Sequence, residues 1–197
     1  MLQHVLDCLD DKFLVIHNQD SFITAGDRFS RFLGNLRRSI MKEYGLYLDG
    51  EWRKSATDKT FVTQNPANGE ALAFFTRGTA EDVDRAVEAA SRAFPAWKKF
   101  PPPKRGEILL RAAAILRRRK DELGEMVTKE MGKIIAEGKG EVQEAIDFFE
   151  YIAGEGRRLL GETTPSELPD KICLTLRQPI GIVGCITPWN FPIAVPS

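Results

Sequence analysis

The apolar residues between positions 79 and 160 recur every three or four residues, which predicts a series of amphipathic α-helices. Thr79 is a favourable N-cap for the first helix, and Pro95 is expected to bend or end that helix. The proline run at 101–103 predicts a rigid linker before the second helix. The apolar stripes are Val83, Ala86, Val87, Ala90 and Phe94, then Ile108, Leu109, Ala112, Ile115 and Leu116, then residues 123–131, and finally Ile135, Val142, Ile146, Phe149 and Ala153 within a long helical pattern at 133–160.

Short strands are predicted upstream of these helices. Residues 46–52 combine strand-forming side chains with Asp49-Gly50, a strong hairpin signal. Two further strands are predicted at 60–65 and 71–76, separated by the turn sequence Pro-Ala-Asn-Gly at 66–69. Small hairpins therefore precede the helices.

The first 45 residues have a different character. A short strand is predicted at 13–16, and an amphipathic helix is predicted from about Asp27 to Glu43. This extension could pack on the main body, bind a partner, or be non-native sequence upstream of the true start.

An apolar run rich in β-branched residues occupies positions 180–186. Such a run, ended by Thr187-Pro188, predicts a strand buried on both faces of a parallel sheet. With the helices, this strand indicates an α/β protein. The sequence Trp-Asn-Phe-Pro at 189–192 then leaves the carboxyl end of the strand, which is where open α/β sheets bind ligands.

Asn190 is the main candidate for chemistry. It lies between two large aromatic residues and close to two prolines, so we expect a stiff backbone and apolar surroundings. A carboxamide N–H held in such a place can donate to an oxyanion that forms on a substrate. The alternative is a turn asparagine that bonds to its own loop backbone.

The sequence Ile-Thr-Pro-Trp-Asn-Phe-Pro at 186–192 resembles the signature of the aldehyde dehydrogenase superfamily at the first strand of its NAD(P)-binding domain. The resemblance runs from about Leu46 to Ser197, and members that oxidise semialdehydes look the most similar. The upstream motifs that resemble the family are Tyr47-Leu48-Asp49-Gly50-Glu51-Trp52, Asn65-Pro66-Ala67-Asn68-Gly69-Glu70, Phe94-Pro95-Ala96-Trp97 and Glu130-Met131-Gly132-Lys133.

The resemblance implies an enzyme that oxidises an aldehyde to a carboxylic acid with NAD or NADP, through a thiohemiacetal. Asn190 would stabilise the oxyanion of that thiohemiacetal, and Phe191 would form a wall of the substrate tunnel. The residues implied to line the cofactor cleft are Ile186, Thr187, Pro188 and Trp189.

The resemblance also implies how the chain is organised. Residues 1–45 lie outside it, 46–170 correspond to the hairpins and helices of the fold, 171–178 to an oligomerisation strand, and 179–197 to the start of the NAD(P)-binding domain. The run from Ile172 to Arg177 follows a predicted loop at 163–169. Because edge strands have unfilled N–H and C=O groups, this run is expected to pair with another subunit of a homo-oligomer, a dimer or a tetramer.

Several parts of the family's machinery have no counterpart in this sequence. These are the cysteine nucleophile, the general-base glutamate and the lysine that binds the cofactor ribose. The chain is therefore expected to be a truncated, N-terminal part that is inactive alone. The alternative is a truncated, non-catalytic helical or assembly module.

Composition excludes other classes of partner. The chain has 28 basic and 28 acidic residues, so no net field attracts it to nucleic acid or to anionic membranes. No apolar run approaches the roughly 18 residues of a membrane span. Cys8, Cys173 and Cys185 are too few and too scattered for disulfides or a zinc site, and the last two are expected to act as small hydrophobic side chains. A cytoplasmic location is expected, since the sequence also begins without a leader pattern.

No metal site or dinucleotide fingerprint is predicted. Glu137, Glu141 and Glu144 fall on one helix face without matching histidines, so we expect a solvated face. Gly-x-Gly sequences at 138–140 and 154–156 lie within helical patterns and lack a third glycine. His4 and His17 are expected to be surface or structural residues.

Overall fold

The computed structural model describes residues 41–197 as an α/β arrangement of small sheets and helices. The strand predicted at 13–16, nearly all of the helix predicted from Asp27, and Cys8, His4 and His17 lie outside the described residues. The elements in chain order are β1 Glu43–Tyr44, β2 Leu46–Leu48, β3 Glu51–Arg53, β4 Thr60–Gln64, β5 Ala71–Thr76, α1 Ala80–Lys99, α2 Pro102–Arg118, α3 Lys120–Met131, α4 Ile135–Glu155, β6 Thr163–Pro165 and β7 Ile172–Leu174.

The β2–β3 hairpin confirms the turn predicted at Asp49-Gly50. Both turn residues have a left-handed backbone, with φ of 56° at Asp49 and 83° at Gly50. Two consecutive positive φ angles characterise the type I′ turn, whose twist matches that of the flanking strands. Tyr47 and Trp52 face each other across the hairpin with ring centroids 5.3 Å apart.

A three-stranded sheet has the order β1-β5-β4, with β1 parallel and β4 antiparallel to β5. The predicted turn at 66–69 connects β4 and β5, and the Ala67 N–H donates to the Asn65 side chain at 2.9 Å. Glu43, the expected last residue of the N-terminal helix, instead belongs to β1. Its partner is Phe74 of β5, so the sheet overrides the local helical spacing.

Helix α1 begins with a reciprocal capping box. The Thr79 hydroxyl accepts the Asp82 N–H, while the Asp82 carboxylate accepts the Thr79 N–H at 2.9 Å. Ser55 also donates to the buried Asp82 carboxylate, and this bond is the main reason that the pKa of Asp82 lies below its usual value. The helix continues through Pro95 to Lys99, so Pro95 does not end it.

The hydrophobic core lies among α2, α3 and α4. Leu116, Leu123, Val142 and Ile146 are its largest fully buried side chains. Pro102 is the first residue of α2 rather than part of a linker, because the first helical turn needs no proline N–H. By contrast, Val83 and Val87 on the predicted stripe of α1 are 61% and 48% exposed.

Helices α3 and α4 approach closely at two glycines. A Cβ on Gly138 would lie 2.5 Å from the Gly124 carbonyl oxygen and 2.9 Å from the Thr128 hydroxyl oxygen. A Cβ on Gly124 would lie 3.0 Å from the Lys139 Cα. The predicted helical location of the Gly-x-Gly sequence at 138–140 is thus confirmed, and helix packing accounts for Gly138.

The segment after α4 differs most from the sequence-based expectations. Thr163–Pro165 is a strand rather than a loop, and it pairs antiparallel with Ile172–Leu174. The predicted strand from Ile172 to Arg177 is therefore shorter. Its remainder still extends the hairpin through the bond from the Thr175 N–H to the Glu162 carbonyl, at 2.9 Å.

Residues 180–186 form no strand in the structure, and they are not buried on both faces. Ile180 is 93% exposed and Ile186 is fully exposed. Within residues 41–197 no strand pairs with this run, so its backbone groups make no inter-strand hydrogen bonds and no neighbouring strand covers its side chains. Strand propensity is realised only where neighbouring strands and a packed face exist.

Candidate functional site

The segment that follows the apolar run is anchored on the helical core. Ile193 and Ala194 are each 3% exposed, and Ile193 belongs to the buried cluster of α2, α3 and α4. The segment bends into a helical turn, in which the Val195 N–H donates to the Phe191 carbonyl at 3.3 Å. The Ser197 hydroxyl donates to the Ile193 carbonyl at 2.6 Å.

Glu141 of α4 holds the start of this turn. Its side chain is completely buried, and one carboxylate oxygen accepts the backbone N–H of Ile193 at 2.7 Å and that of Ala194 at 3.4 Å. The expected solvated face is therefore wrong for Glu141, although Glu137 and Glu144 are exposed. A buried carboxylate needs such donors, because burial without hydrogen bonds costs several kcal/mol.

Lys133 supplies the opposite charge. Its Nζ lies 2.8 Å from the second carboxylate oxygen of Glu141, and its side chain is only 15% exposed. The same Nζ lies 3.6 Å from the centroid of the Phe191 ring, which is a close cation–π contact. The ammonium group is therefore shared between α4 and the segment at 189–194.

The backbone at Gly132 explains how Lys133 reaches this position. Helix α3 ends at Met131, and Gly132 adopts a left-handed conformation with φ of 80°. Its N–H donates to the Thr128 carbonyl at 2.9 Å, which closes the last helical turn. A left-handed C-cap reverses the chain direction at little cost only when glycine occupies it.

The candidate residues of the sequence analysis form one continuous segment, residues 186–191, which is exposed or half-buried and is called the rim below. Ile186 and Trp189 face solvent, Thr187 is half-buried, and Phe191 is half-buried against Lys133. The predicted cofactor-lining residues thus precede the anchored turn directly.

The Asn190 side chain lies on this rim between Trp189 and Phe191 and is exposed. Within residues 41–197 its carboxamide has no hydrogen-bond partner, so the expected alternative of a turn asparagine bonded to its own loop finds no support there.

A separate cavity of about 340 Å³ lies between the three-stranded sheet and α3. Its apolar lining includes Phe75, Leu123 and Met126, while Arg119 and Lys129 contribute charge. None of residues 186–191 lines it. The cavity is therefore distinct from the rim that carries Asn190.

The cysteines and acidic residues form no further site in the described range. Cys173 and Cys185 are exposed free thiols, so neither packs in the interior as a small hydrophobic side chain would. Among residues 41–197, no group of three or more His, Cys, Asp or Glu side chains is placed to hold a metal ion. The helices of that same range are all too short or too polar to cross a membrane.

Sequence reasoning missed Lys133 and Glu141 as partners of the Asn190 segment. In the sequence, Lys133 is part of the Glu-Met-Gly-Lys motif, and Glu141 is one of three carboxylates at helical spacing. One signal could have pointed to them. Glu141 lies next to Val142 and one turn before Ala145, both buried, so its position borders the apolar stripe.

Comparison with known proteins identifies relatives for most of the chain. The model of the aldehyde dehydrogenase family matches residues 52–197. The alpha-ketoglutaric semialdehyde dehydrogenase of Bacillus subtilis is 41% identical over 162 residues, which cover 80% of this chain and 33% of that protein. The chain thus spans about a third of the length of the curated relatives that it matches.

Solved structures give the same picture of the fold. An NADP-dependent enzyme of Escherichia coli matches with a TM-score of 0.75 and 36% identity, covering 79% of this chain and 32% of that one. An NAD-dependent aldehyde dehydrogenase from Sinorhizobium meliloti matches with a TM-score of 0.72 and 34% identity, covering 80% and 32%.

Proposed function

The chain belongs to the aldehyde dehydrogenase family, and from that premise we propose that it is part of an enzyme that oxidises an aldehyde to a carboxylic acid with NAD or NADP. The names of the relatives favour a semialdehyde as the substrate. The observation that carries the proposal is the anchored turn at 191–197, which directly follows the exposed Asn190, whose side chain makes no hydrogen bond to any other of residues 41–197.

Asn190 acts in the first chemical step. When a thiolate adds to the aldehyde carbon, the carbonyl π electrons move to oxygen and create an oxyanion. The Asn190 carboxamide donates a hydrogen bond to that oxyanion, and a preorganised donor of this kind lowers the barrier by about 3–4 kcal/mol. Collapse of the oxyanion then releases hydride from the same carbon and leaves a thioester, which water hydrolyses to the acid.

The rim residues fit a bound dinucleotide. Ile186 and Trp189 offer exposed apolar surface next to the half-buried Thr187 and to Pro188, and a flat aromatic ring system covers such surface favourably. NAD or NADP supplies the hydride acceptor when it is bound. Phe191, held by Lys133, forms one wall of the aldehyde channel and keeps water from the reacting carbon.

The β6–β7 hairpin serves assembly of the enzyme into a homo-oligomer, a dimer or a tetramer. Ile172 and Leu174 are 79% and 57% exposed, and in the described part of the chain no third strand joins this two-stranded sheet. An exposed apolar edge can add a strand from another subunit, which fills its free N–H and C=O groups.

The same hairpin favours a second candidate function, namely a non-catalytic module that assembles through residues 172–177. The two candidates differ in what the reading frame encodes after Ser197. The enzyme requires a cysteine nucleophile and a glutamate base there, whereas the module requires neither.

Replacement of Asn190 in the full-length protein tests the enzyme. We expect Asn190→Ala to lower turnover of an aldehyde by about 100-fold or more, with little change in the dissociation constant of the cofactor. Asn68→Ala is a matched control, because the Asn68 side chain accepts the Glu70 N–H in the turn between β4 and β5. Unchanged turnover in Asn190→Ala, with the chemical step shown to be rate-limiting, would contradict the proposal.

A further inference from the structure

We propose that Lys133 is a positioning residue for the oxyanion donor. This inference rests on the proposed function of Asn190 and adds the means by which that side chain is held. Three contacts carry it: Lys133 to Glu141, Lys133 to Phe191, and Glu141 to the backbone at 193–194. Together they form a clamp, defined as Lys133, Glu141 and Phe191.

The clamp holds the chain at two points on the carboxyl side of Asn190. The ring of Phe191, the next residue, lies 3.6 Å below the ammonium of Lys133. Two residues further along, the Ile193 N–H is bonded to Glu141 at 2.7 Å. Holding the backbone on this side fixes the direction of the Asn190 Cα–Cβ bond, from which the carboxamide reaches a small set of staggered rotamers.

Burial makes these contacts strong and mutually dependent. The Glu141 side chain is 0% exposed and that of Lys133 is 15% exposed, so each charge relies on the other for compensation. Loss of one partner leaves an uncompensated charge in the interior, which is far more harmful than loss of both. A cation that is partly removed from water also binds an aromatic face more tightly.

The clamp matters for rate because an oxyanion hole works through preorganisation. A donor that must be reoriented during the reaction loses much of its advantage, and a displacement of about 1 Å can cost 100-fold in rate. Residues that hold the backbone next to a donor therefore affect the free energy of the transition state without touching the substrate.

A paired substitution tests the clamp while limiting the risk of unfolding. In Lys133→Met/Glu141→Gln both charges disappear together, and the Gln carbonyl still accepts the Ile193 N–H. The matched control is Lys139→Met/Asp121→Asn, which neutralises a more exposed ion pair that joins α3 to α4 at 2.7 Å. Lys133→Arg retains the cation and tests rescue.

Turnover in the full-length protein is measured for each variant with Asn190 present and with Asn190→Ala. We expect the clamp variant to lose at least about tenfold in turnover when Asn190 is present, but less than about twofold in the Asn190→Ala background. The control pair loses less than about twofold in both, and Lys133→Arg regains part of the loss. An equal loss in both backgrounds would show a merely structural role and overturn the inference, as would no loss at all.

A second measurement does not depend on activity. Hydrogen exchange of the Ile193 amide is expected to be slow in the wild type and to accelerate by about tenfold or more in the clamp variant, since a weaker neutral bond to Gln replaces a charge-assisted one. Unchanged exchange would overturn the inference. If the exchange result holds but Asn190→Ala leaves turnover intact, the proposed function fails. The clamp then has no oxyanion donor to position, so the inference fails with it. If Asn190→Ala lowers turnover but the clamp variant does not, only the positioning role fails.

Discussion

The carboxylate of Glu141 and the backbone N–H of Ile193 are joined by a hydrogen bond of 2.7 Å across 52 positions of sequence. This bond connects the second turn of α4 to the helical turn that follows residues 186–191. The carboxylate is wholly buried, and it accepts hydrogen bonds from two N–H groups at the start of a helical turn, which would otherwise need water as their acceptor. Glu141 is therefore a capping residue supplied by a distant element.

Removal of the Glu141 charge should destabilise the protein. In Glu141→Gln, the buried ammonium of Lys133 loses its counter-charge and the bonds to 193–194 weaken, so we expect a loss of about 1–3 kcal/mol in the free energy of unfolding. Urea denaturation followed by circular dichroism measures this loss. Glu144→Gln, one turn further along α4 and exposed, is the control and should change it by less than about 0.5 kcal/mol.

The packing of α3 against α4 predicts opposite effects for two neighbouring glycines. In Gly138→Ala the added methyl group meets the Gly124 carbonyl, and we expect a loss of about 1–3 kcal/mol in the free energy of unfolding. In Gly140→Ala nothing lies within 4 Å, so helix propensity should stabilise the protein by up to about 1 kcal/mol. Equal shifts of the urea midpoint in the two variants would contradict this account of the helix contact.

The capping box of α1 predicts acid sensitivity. Hydrogen bonds, the one from Ser55 above all, lower the pKa of Asp82 below 3.8. A carboxyl group whose pKa is lower in the folded state stabilises the protein above its unfolded pKa, and this contribution is lost as pH falls through the folded value. Asp82→Asn should therefore lose stability at neutral pH, and the difference from wild type should shrink below pH 3.8.

Urea midpoints at about pH 7 and about pH 3 measure this effect. Asp84→Asn, an exposed neighbour in the same turn, controls for the loss of one negative charge. Thr79→Ala removes the other half of the box and should cost about 1 kcal/mol at neutral pH. A difference between Asp82→Asn and wild type that persists unchanged in acid would show that the ionised carboxylate is not what stabilises the cap.

The β6–β7 hairpin predicts how the full-length protein assembles. A lysine at an exposed edge disfavours strand addition, so Ile172→Lys/Leu174→Lys should convert a dimer or tetramer into smaller species. Sedimentation velocity measures the change. Leu168→Lys, 57% exposed between the two strands, is the control and should leave the assembly intact. A wild-type protein that sediments as a stable monomer would refute the proposed interface.

Local signals in the sequence predicted the parts of the fold that depend on local chemistry. The Asp49-Gly50 turn requires positive φ angles, which Gly supplies freely and Asp tolerates, and Thr79 can cap whatever helix follows it. The strand at Ala71–Thr76 was predicted to the residue, since its apolar run has turn residues on one side. These features depend on few distant contacts.

The features that sequence did not reveal depend on partners far along the chain. Glu141 has the spacing of a surface carboxylate, and the donors to its carboxylate are backbone N–H groups, which leave no mark in the sequence. Thr163–Pro165 has the composition of a loop and becomes a strand only because Ile172–Leu174 pairs with it. The run at 180–186 shows the converse, because strand-forming residues remain irregular where no partner strand is described.

That uncovered run also has a consequence for handling the protein. Seven consecutive uncharged residues from Ile180 to Ile186, rich in isoleucine and valine, match the signature of segments that stack into amyloid-like fibrils. Pro179 and Pro188 flank the run as gatekeepers, because neither can donate to a growing cross-β ladder. Their replacement by residues with an N–H would therefore shorten the lag time before turbidity and thioflavin fluorescence rise in concentrated solution.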